Sequence, residues 1–152
     1  MYLSHLLLNN FRNYTQLYLS LGPGLFLFSG ENAQGKTNLL EAVAMLATSN
    51  SFHATSDREV VNWCAPDPVA RLKAKVQRQA GEVEIEIVVV DPTPSERPNA
   101  LTHGIEMPAN MQRKRIKVNS VPKKAMDLVG LVTVVLFAPN DLRLVDGPPE
   151  ER

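Results

Sequence analysis

A chain of 152 residues, 44% hydrophobic, is long enough to fold around one core of its own. Its 16 basic and 16 acidic residues balance, so no whole-molecule field draws it to nucleic acid or membrane, and any such partner must meet a local patch. Cys64 is the only cysteine, which excludes an internal disulfide and fits a reducing, cytoplasmic setting, and no apolar stretch approaches the ~18 residues of a membrane span.

The leucine-rich segment Tyr2 to Leu8 predicts a strand. From Gln16 to Leu21, Leu17, Leu19 and Leu21 alternate with polar neighbours, the period of a half-buried strand. Gly22-Pro23-Gly24 then marks a turn. The wholly apolar Leu25 to Phe28 predicts a short strand buried on both faces. Leu39, Leu40, Val43 and Leu46 fall at helical spacing and place a helix over about Lys36 to Ala47.

Asn50 to Thr55 has loop composition, and Ser56 with Glu59 forms a capping box that opens a short helix running through Trp63. Ala70, Leu72, Ala74 and Val76 alternate with Arg71, Lys73 and Lys75; beyond Gln79-Ala80-Gly81, Val83, Ile85, Ile87 and Val89 alternate with Glu82, Glu84 and Glu86. That is a hairpin with one apolar and one charged face, its opposite charges serving as solvated sheet surface. Asp91 to Asn110 carries Pro92, Pro94, Pro98 and Pro108 without periodicity, which predicts a long loop or lid. Further on come a basic strand over Arg113 to Val118, a helix over Pro122 to Val129, a buried strand over Val132 to Phe137 and a helical turn over Pro139 to Val145. Asp146 to Arg152 holds turn residues and charges with no closing element, so the chain is expected to be incomplete at this end.

Gly30-Glu31-Asn32-Ala33-Gln34-Gly35-Lys36-Thr37 fits G-x-x-x-x-G-K-S/T, between an apolar run and an amphipathic one. The glycines let the backbone turn tightly and approach an anion with no Cβ in the way. Successive N–H groups can then face phosphates at the N-terminus of the helix, where the helix dipole also favours negative charge. Lys36 is placed to reach the outer phosphates and the Thr37 hydroxyl to ligate Mg²⁺. The expected ligand is ATP with Mg²⁺, and the eight residues Gly30 to Thr37 are the candidate site.

The hydrolytic half of such a site is not visible, so no catalytic residue is assigned. Ile87-Val88-Val89-Val90-Asp91 has the form of an apolar strand ending in a metal-binding aspartate, but its glutamates alternate as in a surface hairpin and Pro92 stands where a catalytic glutamate belongs. Asp127-Leu128-Val129-Gly130 matches the D-x-x-G of GTPases but has no apolar strand before it, and no N-K-x-D for guanine occurs. A small P-loop kinase or GTPase is therefore the weaker alternative.

Several blocks resemble one family. Leu8-Asn9-Asn10-Phe11-Arg12-Asn13-Tyr14 is similar to the L-x-N-F-R-N-Y that opens bacterial RecF proteins, and Gly30 to Ala42 to their G-E-N-G-Q-G-K-T-N-L-L-E-A. Val135-Leu136-Phe137-Ala138-Pro139-Asn140-Asp141-Leu142 resembles their V-L-F-x-P-x-D-L, and Gly147 to Arg152 their G-x-P-x-x-R. SMC-like structural heads share the first block more loosely and form the other alternative.

The resemblance implies an α/β fold: a P-loop NTPase of the ABC-ATPase head type, with a mixed sheet and an antiparallel β subdomain. Residues 1–152 would be its N-terminal nucleotide-binding lobe, with a hairpin region and long loop over 68–120 and the C-terminal lobe absent. It further implies an ATP-dependent homodimer with weak ATPase activity in the full-length protein. The partners implied are single-stranded and gapped duplex DNA and the RecO and RecR proteins, in DNA replication, gap repair and the SOS response, with no membrane role. Arg12 and Asn13 resemble positions near the nucleotide. Ala33 stands where the family has Gly, tolerable if that residue keeps a right-handed conformation, and Ser120 follows Asn119 where an Asn-Gly turn is usual.

The densest basic cluster is Arg113, Lys114, Arg115, Lys117, Lys123 and Lys124, with no acid between 111 and 125. Alternation places Arg113, Arg115 and Lys117 on one face, a spacing suited to phosphates rather than bases.

Overall fold

The computed structural model describes residues 1–91 and 113–137. Strands β1 (Tyr2–Phe11), β2 (Tyr14–Ser20), β3 (Val69–Arg78), β4 (Gly81–Val90), β5 (Lys114–Val118) and β6 (Val121–Lys123) form one six-stranded sheet in the order β2-β1-β3-β4-β5-β6. Every pairing is antiparallel. The helix α1 (Lys36–Thr48) lies on one face of it, and short 3-10 helices cover Asp57–Val60 and Ala125–Leu128.

Alternation decides which face is covered. Leu6 and Leu8 of β1, Leu72 and Ala74 of β3, Ile85 and Ile87 of β4 and Ile116 of β5 join Leu39, Ala42, Met45 and Leu46 of α1 in one buried cluster. On the other face Arg71, Lys73 and Lys75 meet Glu86, Glu84 and Glu82 at 3.1–3.4 Å. These pairs are solvent-screened and add little to stability. The β3–β4 hairpin has the register that its apolar positions require, with Leu72 opposite Ile87 and Ala74 opposite Ile85.

Four expectations change. Leu25 to Phe28 forms no strand; Leu25 is 98% and Leu27 90% exposed. A strand buried on both faces needs ladder partners on both sides, and the Gly22-Pro23-Gly24 turn carries the chain away from β2, an edge strand of the sheet. Val132 to Phe137 likewise has no ladder, with Val135 93% exposed, so among the described residues the sheet is antiparallel and not yet mixed.

The helix expected over Pro122 to Val129 begins instead as β6. Asn119 and Ser120 both take positive φ (50° and 66°), making a two-residue hairpin turn, and Pro122 sits on an edge strand where its missing N–H costs no ladder bond. Helix appears only as the 3-10 turn Ala125–Leu128. The Ser56 capping box is present, Ser56 N donating to Glu59 Oε1 at 2.9 Å, yet its helix ends at Val60 rather than Trp63. Val61 is drawn instead into a bridge with Phe11. The long loop of 92–110 and the helical turn of 139–145 lie outside the described residues.

Candidate nucleotide site

The β1–β2 turn, the glycine-lysine loop and the first turn of α1 converge. Gly35 is the N-cap of α1 with φ 101° and ψ 6°. No side chain caps the helix and no acid lies in its first turn, so the opening N–H groups remain available to an anion. Asn32, Ala33, Gly35, Lys36, Thr37 and Asn38 line a cavity of about 280 Å³ at this end. Lys36 Nζ donates to the carbonyls of Gly30 (2.7 Å) and Glu31 (2.6 Å), arching over its own loop. Gln34 is exposed and does not line the cavity.

Ala33 has φ 64°, the left-handed region, and not the right-handed conformation expected of it. The loop turns there as it would with glycine, at a strain of about 1–2 kcal/mol for the Cβ.

Residues ahead of the loop hold it from behind. A Cβ on Gly35 would fall 2.6 Å from Asn13 Oδ1, so the Asn13 side chain fills the space that glycine leaves. Asn38 Nδ2 donates to Asn13 Oδ1 at 2.9 Å, and Tyr14 Oη donates to the Gly35 carbonyl at 3.1 Å. Burial raises the Tyr14 phenol above its ordinary pKa, which keeps it a donor.

Arg12 fixes the turn that carries Asn13. It has φ 52°, its N–H donates to Val60 O at 2.7 Å, and its Nη1 donates to Glu59 O at 2.9 Å. Its Nε and Nη2 grip Glu41 of α1 at 2.8 and 2.5 Å, and Ser51 Oγ donates to the same carboxylate. Glu41 is fully buried. The family resemblance pointed to Arg12 and Asn13 as positions near a nucleotide; Tyr14, Asn38, Glu41 and Ser51, which the structure joins to them, were not singled out. The signal for Glu41 was a lone acid on the apolar face of α1, where an unpaired charge would not be tolerated.

One of the two aspartate motifs has a structural explanation in its side chain. Asp127 Oδ2 accepts from Lys124 N at 3.0 Å and caps its 3-10 helix. Asp91 directly follows β4, which lies between β3 and β5; it is buried, and its backbone N–H donates to Pro68 O at 2.8 Å. Among the described residues no group of three or more His, Cys, Asp or Glu side chains could hold a metal.

The basic cluster divides. Arg113, Arg115 and Lys117 are exposed, with Ile116 and Val118 buried between and beyond them. Lys114 turns the other way, its Nζ donating to Ser49 O (2.9 Å), Asn50 Oδ1 (3.2 Å) and Asp57 Oδ1 (2.9 Å), and so ties β5 to the loop after α1. Lys123 is in register with Ile116 and therefore on the face opposite Lys117. Glu86 approaches Lys117 to 3.8 Å, while also pairing with Arg71.

Residues 5–121 match the family model of the AAA domain. The chain is 45% identical over 157 residues to the DNA replication and repair protein RecF of Chloroflexus aurantiacus, covering 100% of this chain and 38% of that protein. To the protein of the same name from Symbiobacterium thermophilum it is 40% identical over 153 residues, covering 100% of this chain and 35% of the relative. It thus spans little more than a third of the length of the curated relatives it matches. A solved structure of the recombination mediator protein RecF with ATP, in the RecFOR pathway, superposes with a TM-score of 0.74 at 28% identity over 99% of this chain and 35% of that one. A structure from work on ATP-driven dimerization and DNA-stimulated activation of SMC ATPases superposes at 0.73 and 14% identity, over 99% of this chain and 95% of that one, a likeness of fold alone. The fold is that of an ATPase head, and no helix among the described residues is long and apolar enough to cross a membrane. The chain belongs to the AAA-domain family and, within it, to the RecF proteins.

Proposed function

We infer that residues 1–152 are the nucleotide-binding lobe of a RecF-type DNA repair protein and hold ATP in the loop Gly30 to Thr37. The observation that carries this is the uncapped, acid-free N-terminus of α1 opening on a cavity lined by Lys36 and Thr37. A triphosphate entering there exchanges the carbonyl partners of Lys36 for charged phosphate oxygens, a stronger pairing. The exposed Thr37 hydroxyl fits Mg²⁺, which takes few protein ligands and completes its shell with phosphate and water. Asn13, Tyr14 and Asn38 position the loop, and Arg12 with Glu41 positions them.

Lys36→Ala is expected to weaken binding of a fluorescent ATP analogue by about 10- to 100-fold, the loss of one charge-assisted contact set, with an unchanged circular dichroism spectrum. Equal affinity in the two proteins would remove the loop from the binding site.

DNA is the macromolecular partner we assign, acting in the cytoplasm in replication and recombinational repair. The name of the relatives, DNA replication and repair protein RecF, supports this, as does the exposed row Arg113, Arg115 and Lys117. Reversing those three residues to Glu is expected to weaken DNA binding uniformly across sequences, with no change in ATP affinity. The salt slope should become shallower by up to ~0.9 per lost phosphate contact on duplex. Unchanged DNA affinity and slope would return the row to ordinary surface. An ATP-dependent homodimer, and RecO and RecR as partners, belong to the same reading; the RecFOR pathway named for the solved relative supports the latter two. The apolar runs Leu25 to Phe28 and Val132 to Phe137 are the surfaces that the remainder of a RecF-length protein would cover.

A further inference from the structure

Residues 49–60 run from the end of α1 through the 3-10 helix Asp57–Val60, and two cations grip them from opposite ends. From β5, Lys114 Nζ donates to Ser49 O, Asn50 Oδ1 and Asp57 Oδ1. From the β1–β2 turn, Arg12 donates to Glu59 O through Nη1 and to Val60 O through its backbone N–H. Ser51 closes the segment onto the same frame. Its Oγ donates to Glu41 and accepts from the N–H groups of His53 (2.9 Å) and Ala54 (2.7 Å).

Lys114 also stands where α1 needs a cation. The last turn of α1 has no basic residue of its own, and Ser49 ends it at a left-handed φ of 63°. The ammonium from β5 meets the carbonyl of that buried residue, at the negative end of the helix dipole. The Lys114 side chain is only 17% exposed, whereas Arg113, Arg115 and Lys117, which alternate with it, face solvent on the other side of the sheet. At the opposite end of α1, 13 residues and about 20 Å away, lies the phosphate loop.

We propose that Lys114 is a positioning residue that couples the basic row on the outer face of β5 to the phosphate loop. The proposal rests on assigning DNA to Arg113, Arg115 and Lys117 and ATP to Gly30 to Thr37. DNA phosphates along the outer face fix β5, and that strand then holds Lys114 against residues 49–57. With the segment docked, Ser51 stays on Glu41, and Arg12 keeps the turn that seats Asn13 against Gly35. Both ligands favour the same arrangement, so each binds more tightly when the other is present.

A short DNA duplex and a fluorescent ATP analogue measure this. Saturating duplex is expected to raise the affinity of the wild-type protein for the analogue by at least about 5-fold, and linkage requires the analogue to raise duplex affinity equally. Lys114→Met should reduce that gain to less than about 2-fold, while binding duplex alone as wild type does. Lys114→Arg keeps a charge and donors at the site and should retain part of the gain. A lysine with only a structural role would lower the melting temperature of Lys114→Met and leave the gain intact; that result overturns the proposal. If Lys114→Met does not fold, Asp57→Ala decides, and an undiminished gain there overturns the proposal as well. So does a wild-type protein that binds both ligands without mutual effect. Wild-type protein that fails to bind duplex alone, or the analogue alone, removes the row or the loop itself, and the coupling with it.

Discussion

Replacing Glu41 with Ala is expected to destabilise the protein by about 3–5 kcal/mol, the range seen when one member of a buried ion pair is removed. Glu41 has no solvent exposure, and its carboxylate receives Arg12 Nε, Arg12 Nη2 and Ser51 Oγ. The Arg12 side chain is itself only 20% exposed, so the substitution strands a guanidinium in a poorly hydrated site. It also frees the β1–β2 turn from α1, and with it Asn13 and Tyr14. Arg12→Ala should be at least as damaging, because it leaves the carboxylate with Ser51 alone.

The double substitution Arg12→Leu with Glu41→Leu should be much less destabilising than the sum of its parts, since no buried charge is then left unpaired. Urea titrations of the single and double variants measure this directly. A Glu41→Ala protein within about 1 kcal/mol of wild type would show that water reaches the pair and that the clamp is ornamental.

Gly35→Ala is expected to abolish most nucleotide binding and to lower stability by about 1–3 kcal/mol from backbone strain alone. At φ 101° an L residue is strained whatever space it has, and here it has none, with Asn13 Oδ1 at 2.6 Å and Asn13 Nδ2 at 2.7 Å from the new Cβ. Relief requires Asn13 to move, which gives up its bond from Asn38 at 2.9 Å, or requires the loop to open and misdirect the first amides of α1. Adding Asn13→Ala removes the clash but not the strain, so the double variant should recover stability in part. Thermal melts and ATP titrations of the three proteins resolve the two contributions. Wild-type affinity in Gly35→Ala would mean that the loop does not present its amides in the observed geometry.

Some features of this fold are local to a few neighbouring residues. The period-2 pattern from Val69 to Val90 records one-sided burial directly, so the β3–β4 hairpin and its register were legible residue by residue. The start of α1 at Lys36 was legible too, because Gly35 and the apolar spacing from Leu39 onward are properties of neighbouring residues. Apolarity alone misled at Leu25 to Phe28 and Val132 to Phe137. A hydrophobic run shows that a segment needs cover, but not whether the cover comes from nearby chain.

The sequence by itself determined the glycine-lysine loop, the charged and apolar faces of the sheet, and the family likeness that the relatives then established. Only the tertiary structure decided how the loop is held. The Arg12–Glu41 clamp joins residues 29 apart, Lys114 reaches back 65 residues to Ser49, and the left-handed turn of Ala33 depends on the path of the whole loop. Periodicity encodes what each residue does against its own helix or strand; contacts between elements leave no such imprint, because their partners are set by how the chain folds back on itself.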